Sequence, residues 1–112
     1  MTIAYKILGQ SNPIANTETT LYTVPANTSV VASTLNICNQ SSSSATFRIA
    51  VRPGGETLAA KHYIAYDTVI PALDIISLTI GMALATTDVV TVYASANTMS
   101  FNLFGSEITL SL

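Results

Sequence analysis

Apolar and polar residues alternate along most of this chain. Leu35-Asn36-Ile37-Cys38 and Thr46-Phe47-Arg48-Ile49-Ala50-Val51-Arg52 both do so. The pattern returns in Val90-Thr91-Val92-Tyr93-Ala94-Ser95 and Met99-Ser100-Phe101-Asn102-Leu103-Phe104. A period of two sends successive side chains to opposite faces of a strand, one toward a core and one outward. β-branched and aromatic residues dominate these runs, as pleated surfaces favour. Turn residues punctuate them at Asn12-Pro13, Pro25-Ala26-Asn27, Ser41 to Ser44, Pro53-Gly54-Gly55, Pro71-Ala72 and Ala96-Asn97. The pattern predicts strands over 3–8, 20–24, 29–38, 45–52, 61–66, 74–80, 88–95 and 99–108. No segment carries a helical stripe. The expected fold is all-β: a single domain over 1–112, an antiparallel β-sandwich of about eight strands, jelly-roll-like. By alternation Phe47, Ile49, Val51, Val90, Val92, Phe101 and Leu103 point into the core. Arg48 and Arg52 share the outward face of their strand with Ala50.

A short internal echo refines this picture. Ile70-Pro71-Ala72-Leu73-Asp74-Ile75-Ile76-Ser77-Leu78 aligns with Leu84-Ala85-Thr86-Thr87-Asp88-Val89-Val90-Thr91-Val92, and Val24-Pro25-Ala26-Asn27-Thr28-Ser29-Val30-Val31 is a looser third copy. Each leads through a short turn into a new strand. Asp and Asn side chains can satisfy the N–H groups of such a turn. The echo is too short for a solenoid and predicts a recurring corner between strands. One carboxylate per turn falls short of a calcium site.

Composition changes the picture at the surface. Only 9% of the residues are charged, against 49% hydrophobic, and the net charge is −2. An ordinary soluble domain carries about 25% charged residues. Ser, Thr and Asn fill the gap. Such a surface would stick to itself if left bare, so the expectation is an assembly subunit covered by neighbours. Four Lys and Arg in all give no basic footprint for nucleic acid. No secretory signal is legible at the N-terminus. The apolar stretch from Ile75 to Ala85 is broken by Ser77, Thr79 and Gly81, too short to span a membrane.

Chemistry is sparse. Cys38 is the only cysteine, which excludes an intrachain disulfide, and is expected to pack as a small buried apolar residue. His62 is the only histidine and has no nucleophile motif beside it, so a hydrogen bond at an interface or on the surface is expected for it. The six carboxylates show no marked pair, and no nucleotide-binding or hydrolase motif is present. The expectation is a non-enzyme with no cofactor and no metal. Asn27-Thr28-Ser29 and Asn39-Gln40-Ser41 match the glycosylation pattern by chance in a hydroxyl-rich chain. Candidate interface residues remain. Arg48 and Arg52 are candidate anchors through bidentate contacts, with Glu107 as a carboxylate partner. Tyr63 and Tyr66 suit either an oligomer interface or an aromatic surface that binds carbohydrate.

Several segments together carry a family resemblance. They are Leu21-Tyr22-Thr23-Val24-Pro25-Ala26, Ile37-Cys38-Asn39-Gln40, Ala45 to Pro53, Ala60 to Asp67, Val89 to Ser95 and Phe101 to Ile108. From about Ile3 to Thr109 the chain resembles the small β-rich virion proteins of tailed bacteriophages, particularly those of cyanobacteria and other aquatic hosts. The resemblance implies a β-sandwich particle component, located in the virion after assembly in the host bacterial cytoplasm. The leading expectation is a capsid decoration or cement subunit, a homo-oligomer such as a trimer, that packs passively on the major capsid protein. The alternatives are a tail component (baseplate, neck or fibre) among tail proteins, and a carbohydrate-binding module for host adhesion. Neither nucleic acid nor membrane is an expected partner. The resemblance brings no catalytic residues. The short apolar tail Leu110-Ser111-Leu112 is expected to add a strand to a neighbour.

Overall fold

The computed structural model describes residues 1–110. Eight strands run β1 (Thr2–Ser11), β2 (Thr19–Thr23), β3 (Thr28–Asn39), β4 (Ala45–Arg52), β5 (Tyr63–Ile70), β6 (Ile75–Leu84), β7 (Val89–Ala94) and β8 (Met99–Thr109). They form two antiparallel four-stranded sheets. Sheet A has the order β1-β8-β3-β6 and sheet B the order β2-β7-β4-β5. Every connection except β4 to β5 crosses from one sheet to the other. This is the expected sandwich with jelly-roll order. The fifth strand starts later than the alternation suggests. Ala60–His62 form a 3₁₀ turn, and pairing begins at Tyr63.

The inward faces meet in one core. Phe47 of β4 and Phe101 of β8 pack edge to face across it, 6.4 Å between ring centroids. Leu35, Ile37, Ile49, Val90, Val92 and Leu103 are buried beside them. Six of the seven expected core residues are fully enclosed. Val51, near the end of β4, is half-buried against the same cluster. Cys38 departs from expectation. Its neighbours Ile37 and Asn39 are buried, and alternation turns Cys38 to the outer face of sheet A, half-exposed.

The echoed corners share a backbone device. Asn27, Leu73 and Thr87 stand at equivalent positions in the three copies, and all adopt positive φ (55°, 54° and 70°). A positive φ at the third turn position marks a type II turn. In the third of these corners along the chain, the Asp88 N–H donates to the Ala85 carbonyl at 3.1 Å. The Asp88 carboxylate then accepts from the N–H groups of Ala85 (2.8 Å) and Gly54 (2.9 Å). Asp74 accepts from the Ile75 N–H at 2.8 Å. Both aspartates serve the backbone, as the turn chemistry requires. They lie at opposite ends of the ten-residue strand β6.

At the end of the sandwich that carries the β5–β6 turn, Asn39 is a buried hub. Its side-chain nitrogen donates to the carbonyls of Ser43 (3.0 Å) and Pro71 (3.2 Å), and its oxygen accepts from the Ser41 N–H (3.1 Å). With 1% of its surface exposed, this amide is no glycosylation acceptor. At the other end the Leu110 N–H donates to Asn27 O at 2.9 Å. Ser111 and Leu112, on which an added tail strand depends, lie outside the described residues.

All four edge strands carry an extra residue relative to their partners. The register slips at Leu8 in β1, at Leu21 in β2, near Asp67 in β5 and near Gly81 in β6. Asp67 (φ 48°) and Gly81 (φ 55°) take the left-handed conformation there. Such bulges twist a strand and end its capacity to pair, which blunts an edge against other chains.

Candidate functional site

The outer face of sheet B gathers most of the side chains that carry chemistry. Arg48 sits at its centre. Alternation on β4 sends it outward, and the register sets it directly opposite Tyr93 of β7. Its guanidinium lies between two rings, 4.2 Å from the centroid of Tyr66 and 4.3 Å from that of Tyr93. Asp67 takes two of its donors, Nε to Oδ1 at 2.6 Å and Nη2 to Oδ2 at 3.3 Å. The bulge at Asp67 makes this possible by turning its carboxylate toward β4. The hydrogen bond to Asp67 raises the already high pKa of Arg48. Glu18, just before β2, stands 3.9 Å from Arg48 Nη1 and accepts the Tyr63 hydroxyl at 2.9 Å. Burial, reinforced by that hydrogen bond, raises the Tyr63 pKa. Tyr63 meets Tyr66 edge-on with centroids 4.9 Å apart. Beside the two rings Leu58, Ala59 and Ala60 line an open depression of about 600 Å³.

The structure thus brings Arg48, Tyr63 and Tyr66 together. Arg52 lies further along the same face. Its Nε donates to Thr91 Oγ1 at 3.2 Å and its Nη1 to the Glu56 carbonyl at 3.0 Å. Ala50 between the two arginines is fully buried, because Thr91 and Tyr63 flank it across the strands. Glu107 is not with the arginines. It lies on β8, where Tyr22 donates to it at 2.5 Å and Lys6 at 3.2 Å. The Tyr22 hydrogen bond holds the Glu107 carboxyl below the usual carboxylate range, with Lys6 adding to it and burial opposing it. Burial first, then Glu107, pushes the Tyr22 hydroxyl upward.

His62 is inside the fold, and not at the surface or at an interface as expected from the sequence. It is buried in the loop between β4 and β5, where its Nδ1 accepts the Ala59 N–H at 3.0 Å. The ring proton therefore sits on Nε2, which faces Glu56 at 3.4 Å. Among the described residues, no group of three or more His, Cys, Asp or Glu comes together.

The outer face of sheet A is built of a different material. Its cross-strand rows run Ile3–Ile108–Ser29, Tyr5–Ser106–Val31–Ala83, Ile7–Phe104–Thr34–Thr79, Gln10–Asn102–Asn36–Ser77 and Ser100–Cys38–Ile75. Among the described residues, none of the ten charged side chains is in these rows. Lys6 and Glu107 share strands with them but occupy rows that face the other way, with the buried residues Ala32 and Val30. Half of the face is apolar and exposed: Ile3 at 50%, Tyr5 at 87%, Ile7 at 50% and Val31 at 44%. A hollow of about 570 Å³ opens among Tyr5, Lys6, Ile7, Val31, Phe104 and Ser106, and the ammonium of Lys6 at its border is paired with Glu107 at 3.2 Å. The other half is mainly amide and hydroxyl, with Gln10 donating to Asn102 at 2.7 Å, and ends in Cys38 and the exposed Ile75.

Glu18, Asp67 and Tyr93 belong to the arginine cluster without a sequence argument having named them. Alternation on β7 already turned Tyr93 outward. Its apposition to Arg48 needed the strand order. Compared with known proteins, the chain matches no family model and no curated protein.

Proposed function

We propose that this chain is a virion structural protein, a subunit that decorates or cements a phage capsid by passive packing. One observation carries the reading: a whole sheet face of a small domain whose cross-strand rows hold no charged side chain, half of it exposed aliphatic and aromatic surface. Exposed apolar patches of that extent mark interaction surfaces. Burial is worth about 25 cal/mol per Å² before association costs. Jelly rolls serve in viral capsid and lectin domains, which is an argument by analogy of fold. The resemblance to small phage virion proteins points the same way. Labelling of intact particles with an antibody against the chain tests it. Regular labelling of the head supports the decoration role, labelling at the tail moves the subunit there, and unlabelled particles refute the reading.

A second reading, adhesion to host polysaccharide, draws on Tyr66. This ring is 58% exposed, yet Arg48 holds one face and Tyr63 its flank. A fixed, exposed aromatic beside a depression is the platform on which a sugar ring stacks. Binding on a glycan array that is lost in Tyr66→Ala supports this role, and an array with no binding removes it.

A further inference from the structure

We infer that the occupant of the uncharged face of sheet A is a second copy of the chain, related by a two-fold axis and packed face to face. The inference rests on the assembly role above and names the partner of its surface.

The edges are the first alternative to consider. Two sandwiches can join by pairing edge strands, but all four edges here carry a bulge, and two of those bulges hold a residue at positive φ. Those devices oppose continued pairing. The faces remain. Sheet B's outer face is unsuited to burial against a like face, since it would have to desolvate Arg48, Asp67 and Glu18.

Sheet A's face has the opposite property. A charged partner would leave its own charges dry and unpaired against it, because the rows of the face offer none in return and Lys6, bordering the hollow, is already paired with Glu107. The uncharged surface available to match it is the same face on another copy, where no like charges meet. A two-fold contact must be self-complementary. Tyr5 is the most exposed large apolar side chain among the described residues and stands on the rim of the hollow lined by Ile7, Val31 and Phe104 and bordered by Lys6, over which a tyrosine ring can also pack. A protruding ring and a hollow side by side on one face allow each copy's Tyr5 to enter the other's hollow. The size is adequate. Four strands at ~4.8 Å spacing and ten residues at ~3.3 Å give on the order of 600 Å² in projection, and accessible area exceeds projection. A standard interface buries about 800 Å² per partner.

Sedimentation equilibrium of the purified chain tests this. The expected mass is that of two chains of 11.8 kDa. The dissociation constant should change less than about threefold between about 0.05 and 0.5 M salt, since no ion pair is broken. The double variant Tyr5→Glu with Val31→Glu places charges on exposed positions of the face. It should keep the wild-type circular dichroism and weaken the dimer by about 100-fold or more. The same change at Val69, exposed on sheet B, should leave the dimer intact. A monomeric wild type, a mass of three chains, or association untouched by the double variant overturns the inference. These outcomes are independent of particle labelling, so a chain found on particles but monomeric in solution would refute the two-fold contact and leave the virion role standing.

Discussion

Single residues hold this sandwich in ways that local chemistry explains. Leu73 adopts positive φ in the β5–β6 turn while 72% exposed, so it bears backbone strain and gains little burial. The left-handed conformation costs a non-glycine residue about 1–2 kcal/mol, part of which a glycine gives back through its freer unfolded chain. Leu73→Gly should therefore stabilise the protein by about 0.5 kcal/mol in urea unfolding. A loss of stability would show that the side chain makes a contact worth more than the strain. Tyr22 and Glu107 form the second case. A hydrogen bond to a charged group contributes about 1.5–3 kcal/mol, so Tyr22→Phe should cost about 1.5 kcal/mol at neutral pH. The sign with pH follows from the lowered Glu107 pKa. The unfolded chain takes up the proton first as the medium is acidified. The stabilisation is thus complete above the ordinary carboxylate pKa and is lost as pH falls through the folded value. The gap between wild type and Tyr22→Phe should narrow on the acid side, and a gap that widens there would contradict the assignment.

Elements show how the alternation and the register divide the information. The period of two located all eight strands and gave core residues in β4, β7 and β8 that are buried except for Val51, because inward residues in a sandwich must be apolar at every second position. It also turned Arg48 and Tyr93 toward sheet B's surface, whereas Tyr63 and Tyr66, three positions apart, share that face only because the β5 register slips again opposite Ile49 and Ala50. It missed what bulges decide. An extra residue near Asp67 brings that carboxylate onto Arg48, nineteen positions away, and nothing in the local pattern signals the shift. The same limit hid Glu107, whose partners Lys6 and Tyr22 come from β1 and β2 at the far side of the chain. Gly105 shows the converse, a residue type that the register explains afterwards. The bulge of β3 at Ser33 presses its backbone toward β8. A Cβ at Gly105 would lie 2.2 Å from the Val31 carbonyl oxygen and 2.8 Å from Ala32 Cα. Backbone cannot yield as a side-chain tip does. Gly105→Ala should cost about 2–3 kcal/mol, read as a lower urea midpoint at unchanged slope. A midpoint equal to wild type would show that the bulge relaxes freely.

At the scale of the whole molecule, charge is segregated. The ten charged residues lie on sheet B, at the turns and loops, and at the shared Lys6–Glu107 pair, and sheet A's outer face has none. Low overall charge, visible in composition, thus becomes a property of one surface. Bulged edges and a bare face together favour association through the face and oppose open-ended stacking of strands. A density map of intact particles, at a resolution that separates the two sheets, tests the assembly claim most directly. The account predicts this jelly roll on the particle with the outer face of sheet A buried against a neighbour and the Arg48 face of sheet B turned away from that contact. Particles without the chain, or a bound chain whose sheet A faces solvent, would contradict it.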